Sequence, residues 1–388
     1  MVIAESTREL LGNLFEFQDL GDTDLRGVAD PVRAWVALRL SSIESRFEAL
    51  HGAGLTALVG REEELELLLR RWSKSKSGEG QVALLSGEAG IGKSRLASAV
   101  YEMTEDEPRT RMRWFCSPHY QDSALHPAIV QFEGAAGFAR DDIGEAKREK
   151  LRQLLQAVDA DEFELIAELL SLPNAATDLN LSPQRKRERL FEALLNEVEA
   201  LSRRAPLLAM FEDAHWIDPT SREMLDLMVD RVRRMPVLFI VAFRPEFQQS
   251  WVGQPHVTML ALNRLDDRHV AALVLGLAGN TPLGSEVIQE IAERTDGVPL
   301  FVEKLTKAVL ERADQDRRVA AVLSANPLPA LTVPSTLHAS LIARLDRIGP
   351  AAKEVAQISS VFGREFTYEQ VERWLRGQSL TSTARWRN

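Results

Sequence analysis

One eight-residue stretch constrains this chain more than any other. Gly87-Glu88-Ala89-Gly90-Ile91-Gly92-Lys93-Ser94 satisfies G-x-x-x-x-G-K-[ST] at every defined position. The chemistry behind that pattern is specific. Glycines let backbone N–H groups curl around a phosphate without Cβ clashes, and a helix that follows adds the positive end of its dipole. The flanks agree, because the apolar run 82–86 leads in and a helical pattern leads out from Lys93. Lys93 is expected to reach the β- and γ-phosphates and Ser94 to ligate Mg²⁺, so the expected cofactors are ATP or ADP with Mg²⁺.

Three more apolar runs, 112–116, 207–211 and 237–243, stand between long helical patterns, and 257–262 is a fifth candidate strand. Runs this apolar suit strands buried on both faces of a parallel sheet. Their alternation with helices predicts an α/β layer fold. A phosphate loop needs a carboxylate on its metal side, at the end of a neighbouring strand. The run 207–211 ends in Glu212 and Asp213, at the carboxyl edge where ligands bind in such sheets. One of these acids is expected to hold Mg²⁺ through water and the other to orient the attacking water, with the division of roles open. The run 237–243 ends in Arg244, placed to reach the γ-phosphate and sense its loss.

Composition removes several classes. The 388 residues carry 47 Lys and Arg against 57 Asp and Glu, a net charge of −10, which argues against bulk nucleic-acid binding. Cys116 is the single cysteine, so no intramolecular disulfide can form and a reducing compartment is expected. The longest apolar run, 237–243, is far short of the roughly 20 residues that span a bilayer. The N-terminus shows no signal-peptide core. Seven scattered histidines make no metal-ligand pattern. A cytoplasmic globular protein with no membrane partner is the expectation.

At this point the residues resemble a known family. Leu58-Val59-Gly60-Arg61-Glu62, the phosphate loop, Phe211-Glu212-Asp213-Ala214-His215-Trp216-Ile217-Asp218-Pro219, Phe243-Arg244-Pro245-Glu246-Phe247 and Arg294-Thr295-Asp296-Gly297-Val298-Pro299-Leu300-Phe301 are together similar to the STAND class of P-loop signalling ATPases, within the AAA-like group. More narrowly, they resemble the ATPase module found behind class III nucleotide cyclase domains in bacterial proteins. The resemblance implies a P-loop core over residues 58–263 and a helical lid over 264–325. It places Val59, Gly60 and Arg61 on the adenine and ribose side, and Gly87, Gly90, Gly92, Lys93, Ser94 and Arg95 around the phosphates. Ser94, Glu212 and Asp213 would then serve Mg²⁺, and Glu212, Asp213 and Arg244 catalysis. Pro299 would pack near adenine from the lid's Gly-x-Pro motif. Independently, Gly297-Val298-Pro299 inside a helical stretch interrupts the helix. His215 and Trp216 read as packing and polar support, and Asp218-Pro219 as a helix start.

The flanks resemble incomplete domains. Residues 1–40 look like the last part of a class III cyclase domain, with a helix, a strand about 15–17, a turn at Asp30-Pro31 and a strand about 32–38. The family's metal-binding aspartates, base-recognition pair and transition-state Asn/Arg pair lie before the segment present here. Forty residues also cannot form that domain's core. Cyclase activity by this chain alone is therefore not expected, and the chain reads as a truncated piece of a longer protein. Residues 41–57 read as a helical linker. Residues 335–378 resemble a partial winged-helix unit, and 379–388 a frayed tail. Six Lys/Arg against five Asp/Glu between Ser335 and Gln378 suit packing better than phosphate tracking.

The leading expectation is an ATP-binding switch that hydrolyses ATP slowly to ADP and phosphate and signals to a protein partner or to itself. Three others stay open: a cyclase completed by a missing segment, a DNA-binding regulator acting through 335–378, and an inert fragment.

Overall fold

A computed structural model of the chain describes residues 2–12, 15–23, 31–40, 57–139, 141–155, 158–173, 181–279 and 281–320. Most of the linker, the last five residues of the lid stretch, the winged-helix stretch and the tail lie outside these residues. Near the N-terminus, β1 (Val2–Ala4), β2 (Phe15–Thr23) and β3 (Val32–Leu40) pair antiparallel in the order β1-β3-β2. The sequence pattern shows the helix Glu5–Leu11 and the two later strands, but β1 precedes that helix and β2 runs on past Phe17 to Thr23. A register shift between Asp19 and Gly21 masks the alternation that would have marked the longer strand. Trp35 ties helix to sheet: its Nε1 donates to Glu5 at 2.6 Å, and the Arg8 guanidinium lies 4.4 Å from its ring centre.

The central sheet holds β4 (Gln81–Ser86), β5 (Thr110–Phe115), β6 (Leu207–Glu212), β7 (Val237–Phe243) and β8 (Val257–Ala261). All five are parallel, in the order β5-β6-β7-β4-β8. The apolar runs become strands because both of their faces are covered. Val82, Leu84, Phe211, Phe239 and Val241 pack on one face with residues of the helices Pro183–Arg204 and Pro219–Val232. Ala83, Leu85, Met210, Leu238 and Ile240 pack on the other with residues of the helices Glu62–Ser75 and Lys93–Met103. Each large side chain so buried contributes about 1.5–3 kcal/mol. Parallel pairing brings every carboxyl end to one edge, and that edge carries the phosphate loop.

The strand order corrects one expectation. The acid-ended β6 is not the immediate neighbour of the loop-bearing β4, because β7 pairs with both. Apolar patterning marks a buried strand but not its neighbours, which the crossover packing decides.

Between β5 and β6, the helices His126–Ala135, Gly144–Leu154 and Ala160–Leu169 build a separate apolar cluster around Leu151, Phe163 and Ile166, joined by Phe191, Leu194 and Met224. Asp159 closes a capping box with Glu162. The helix Pro219–Val232 starts at Asp218-Pro219 as expected, with Asp218 accepting from the Thr220 and Ser221 N–H groups at 3.0 and 2.9 Å.

The chain divides into two compact units, residues 1–276 with 296–300, and residues 277–295 with 301–388. In the second, Thr295 ends the helix Ser285–Thr295 with its hydroxyl donating to the Ile291 carbonyl. The Gly-x-Pro stretch breaks the helical run: Asp296 and Gly297 take φ of +51° and +68°, and a new helix begins at Pro299. Among the described residues no helix is long and apolar enough to cross a membrane.

Candidate functional site

The loop Gly87–Gly92 lies between β4 and the helix Lys93–Met103. Gly90 has a φ of +81°, and a Cβ there would stand 2.9 Å from the Leu300 Cβ. An L side chain would therefore be strained in both backbone and space. The Lys93 side chain is buried beneath the loop, its Nζ donating to the Gly87 and Glu88 carbonyls at 2.7 and 2.9 Å. Burial pushes its ammonium down to about 8, against the pull of Asp213. The first turn of the helix leaves its backbone donors without intrahelical acceptors. A cationic amine and free amides beside a helix N-terminus form an anion cradle.

Ser94 reaches across the sheet edge. Its hydroxyl donates to Glu212 Oε2 at 2.8 Å, although β7 separates the two parent strands. The other Glu212 oxygen, Oε1, accepts from Arg113 Nη2 at 2.8 Å. Burial pushes the Glu212 carboxyl up, while the Arg113 guanidinium and the Ser94 hydroxyl pull it back down. Asp213 leaves the strand with a φ of +55°, a left-handed turn that costs an L residue about 1 kcal/mol or more. Its carboxylate acts on Lys93, while that of Glu212 meets Ser94. The two acids, adjacent in sequence, thus act on different groups.

Arg244 follows β7 directly, its guanidinium 5.0 Å from the Trp216 ring centre and 4.0 Å from Glu246. His215 sits beside Trp216, ring centres 4.3 Å apart. Burial, with Arg244 and Lys93 adding to it, pushes the imidazole down to about 4. At neutral pH it is uncharged.

The remaining expected residues make contacts of their own. Arg61 is buried and committed, donating to Glu64 at 3.1 Å and to the Asn263 carbonyl. It ties the start of the core to the segment after β8. Gly60 donates its N–H to Glu62 at 3.1 Å, and Val59 stands half-buried beside it. Arg95 turns its guanidinium along its own helix to Glu102, with bonds of 3.0 and 3.2 Å. The Gly-x-Pro turn approaches the loop, with the Leu300 N–H donating to the Gly90 carbonyl at 3.2 Å. Pro299, half-buried, opens the helix at that contact.

Sequence reasoning missed two residues. Arg113 is nearly fully buried and grips Glu212; a cation flanked by Met112 and Trp114 in a strand beside an acid-ended strand was the available signal. Arg264 donates to both Glu88 oxygens at 3.1 Å and also pairs with Asp296, which links the loop to the Gly-x-Pro turn. No local pattern announces that link, because its partners lie 176 and 32 residues away.

The donor set fits Mg²⁺. A hydroxyl and two carboxylates are hard oxygen ligands, and this ion takes one or two protein oxygens together with substrate phosphates rather than a full protein cage. Among the described residues, no group of three or more His, Cys, Asp or Glu is placed to hold a metal ion.

Three comparisons place the chain among known proteins. Residues 57–240 match the family model described as an AAA ATPase domain. An uncharacterised protein of Rhizobium meliloti is 31% identical over 372 residues, 95% of this chain and 35% of its own length. The chain thus spans about a third of that relative. Among solved structures, Thermotoga maritima RuvB is 15% identical, covering 67% of this chain and 64% of its own, with a TM-score of 0.40. A STAND protein with a tetratricopeptide repeat sensor from Pyrococcus horikoshii is 14% identical, covering 82% and 37%, with a TM-score of 0.37. With a phosphate loop on a parallel sheet and acids at its carboxyl edge, residues 57–240 are similar to an AAA ATPase domain and have the α/β fold of a P-loop nucleotide-binding core.

Proposed function

We propose that this module is a nucleotide-dependent switch: it binds ATP with Mg²⁺, hydrolyses it slowly, and changes conformation between the ATP and ADP states. The observation that carries the reading is the meeting of Ser94 with Glu212 beside the buried Lys93. Lys93 would exchange its two loop carbonyls for β- and γ-phosphate oxygens. Ser94 and Glu212 would hold Mg²⁺, which when bound neutralises phosphate charge. Asp213, whose charge acts on Lys93, would orient the attacking water, and Arg244 would contact the γ-phosphate. Neutral His215 supports Trp216 and Arg244 by packing.

The link from Glu88 through Arg264 to Asp296, together with the Leu300–Gly90 bond, supports the switch. Phosphates entering the loop bring negative charge next to Glu88 and bear on the same loop that the Gly-x-Pro turn touches. A γ-phosphate that favours one loop arrangement biases that turn, and only such a differential contact can shift a two-state equilibrium. The partner that reads the change, a second protein or a second copy, belongs to the same proposal, as does the relation to STAND proteins. The test is direct. The purified chain is denatured and its released nucleotide quantified, and ATP and ADP affinities are measured by calorimetry for wild type and Lys93→Ala. Wild type should bind both nucleotides and Lys93→Ala neither; equal affinities would remove the reading.

A further inference from the structure

We infer that Arg113 is a positioning residue of this site: by ion-pairing with Glu212 it fixes which carboxylate oxygen Ser94 meets. The inference rests on the ATPase reading above and deepens it. Its geometry begins with register. Arg113 lies opposite Met210 and Phe115 opposite Glu212 on the paired strands β5 and β6. Alternation then puts Arg113 and Glu212 diagonally on one sheet face, within reach of a long side chain. The contact forms at 2.8 Å, with the two side chains only 4% and 6% exposed.

A carboxylate has two equivalent oxygens and a soft terminal torsion. Here they are assigned: Oε1 takes Arg113 and Oε2 takes Ser94. The guanidinium is itself confined, 5.2 Å from the Tyr101 ring centre, 5.6 Å from that of Phe115, and 3.8 Å from the Met210 sulfur. It therefore cannot swing away and free Glu212 without disturbing the apolar packing around it.

Stability alone does not account for the pair. Desolvating two charges offsets most of their attraction, and an apolar pair of similar volume does as well or better. What the pair supplies is a charge of fixed orientation at the strand end that meets the loop serine. Partners in this outer position typically change metal affinity about 10- to 100-fold when removed. Arg113 touches neither nucleotide nor metal in this scheme; it acts through Glu212.

The test separates positioning from folding. A fluorescent N-methylanthraniloyl ATP is titrated into the full chain, once with Mg²⁺ and once with EDTA, for wild type, Arg113→Met and Arg113→Lys. The expected result is EDTA affinity within about twofold of wild type for both variants, with the gain from Mg²⁺ reduced 10- to 100-fold in Arg113→Met and largely restored in Arg113→Lys. A loss that is equal with and without Mg²⁺ would show a purely structural role and overturn the inference, as would an unchanged Mg²⁺ response. Should Arg113→Met fail to fold, it is compared with Glu212→Gln in a double variant, where no unpaired charge remains. There Arg113→Met should add no further loss of Mg²⁺ response, and an added loss overturns the inference. A wild-type chain that binds no nucleotide under either condition defeats the ATPase reading itself, whereas wild-type binding with an unaffected Arg113→Met defeats this inference alone.

Discussion

Lys93→Met should make the nucleotide-free protein more stable while removing its ligand. Burial takes the Lys93 ammonium from an ordinary 10.5 down to about 8. At about 1.4 kcal/mol per pH unit, keeping that group charged at neutral pH costs the fold about 3 kcal/mol. Methionine retains most of the apolar stem and loses the charge. It also forfeits the two bonds to the Gly87 and Glu88 carbonyls, at about 1 kcal/mol each. The net expectation at pH 7 is a gain of about 1 kcal/mol. The pH dependence supplies a sharper test. Since the folded pKa lies below the unfolded one, between pH 8 and 10.5 the unfolded chain holds the proton that the folded chain has released. Wild-type stability should therefore rise with pH through that window, by about 2–3 kcal/mol by pH 10, and Lys93→Met should lack that rise. Urea unfolding of both proteins at pH 7 and pH 10, without nucleotide, measures it. A variant less stable than wild type at pH 7, or one whose stability follows pH as wild type does, would show that burial does not strain the Lys93 charge.

Other outcomes follow from particular contacts. Ser94→Ala should weaken ATP binding about tenfold or more in Mg²⁺ and little in EDTA, because it removes the hydroxyl that meets Glu212; calorimetry in the two buffers reads the difference. Gly297→Ala should destabilise by about 2 kcal/mol or more, since its φ is +68° and a Cβ would stand 2.1 Å from the Leu265 carbonyl oxygen; urea midpoints measure the loss. Arg264→Ala should shift global stability by no more than about 1 kcal/mol, because its ion pairs are exposed, yet it should change the ratio of ATP to ADP affinity. Cys116 is buried, and burial pushes its thiol well up. Alkylation by iodoacetamide at pH 8 should be slow in the native chain and fast after unfolding.

Much of this was legible in the sequence because its signals are local. A strand buried on both faces reads as an unbroken apolar run, and the runs 82–86, 207–211 and 237–243 lie within β4, β6 and β7. The phosphate loop is one contiguous motif whose glycines answer to backbone geometry. The rest is tertiary. Apolar patterning does not state that β7 separates β4 from β6, so the reach of Ser94 to Glu212 follows only from the assembled sheet. Nothing local marks Arg113; its meaning appears once β5 lies beside β6 in register. The two acids at the end of β6 were equivalent in the sequence, and the left-handed turn at Asp213 is what separates them. Arg61 and Arg95 carry the motif's charges, but in the fold both guanidinium groups are engaged by neighbouring acids, Glu64 and Glu102.

The most direct test of the central claim is equilibrium binding of ATP to the purified wild-type chain and to Lys93→Ala, measured by calorimetry in Mg²⁺. Saturable one-site binding to wild type, with no detectable heat from a folded Lys93→Ala, is the predicted result. Equal binding by both proteins, or none by wild type, would contradict the account.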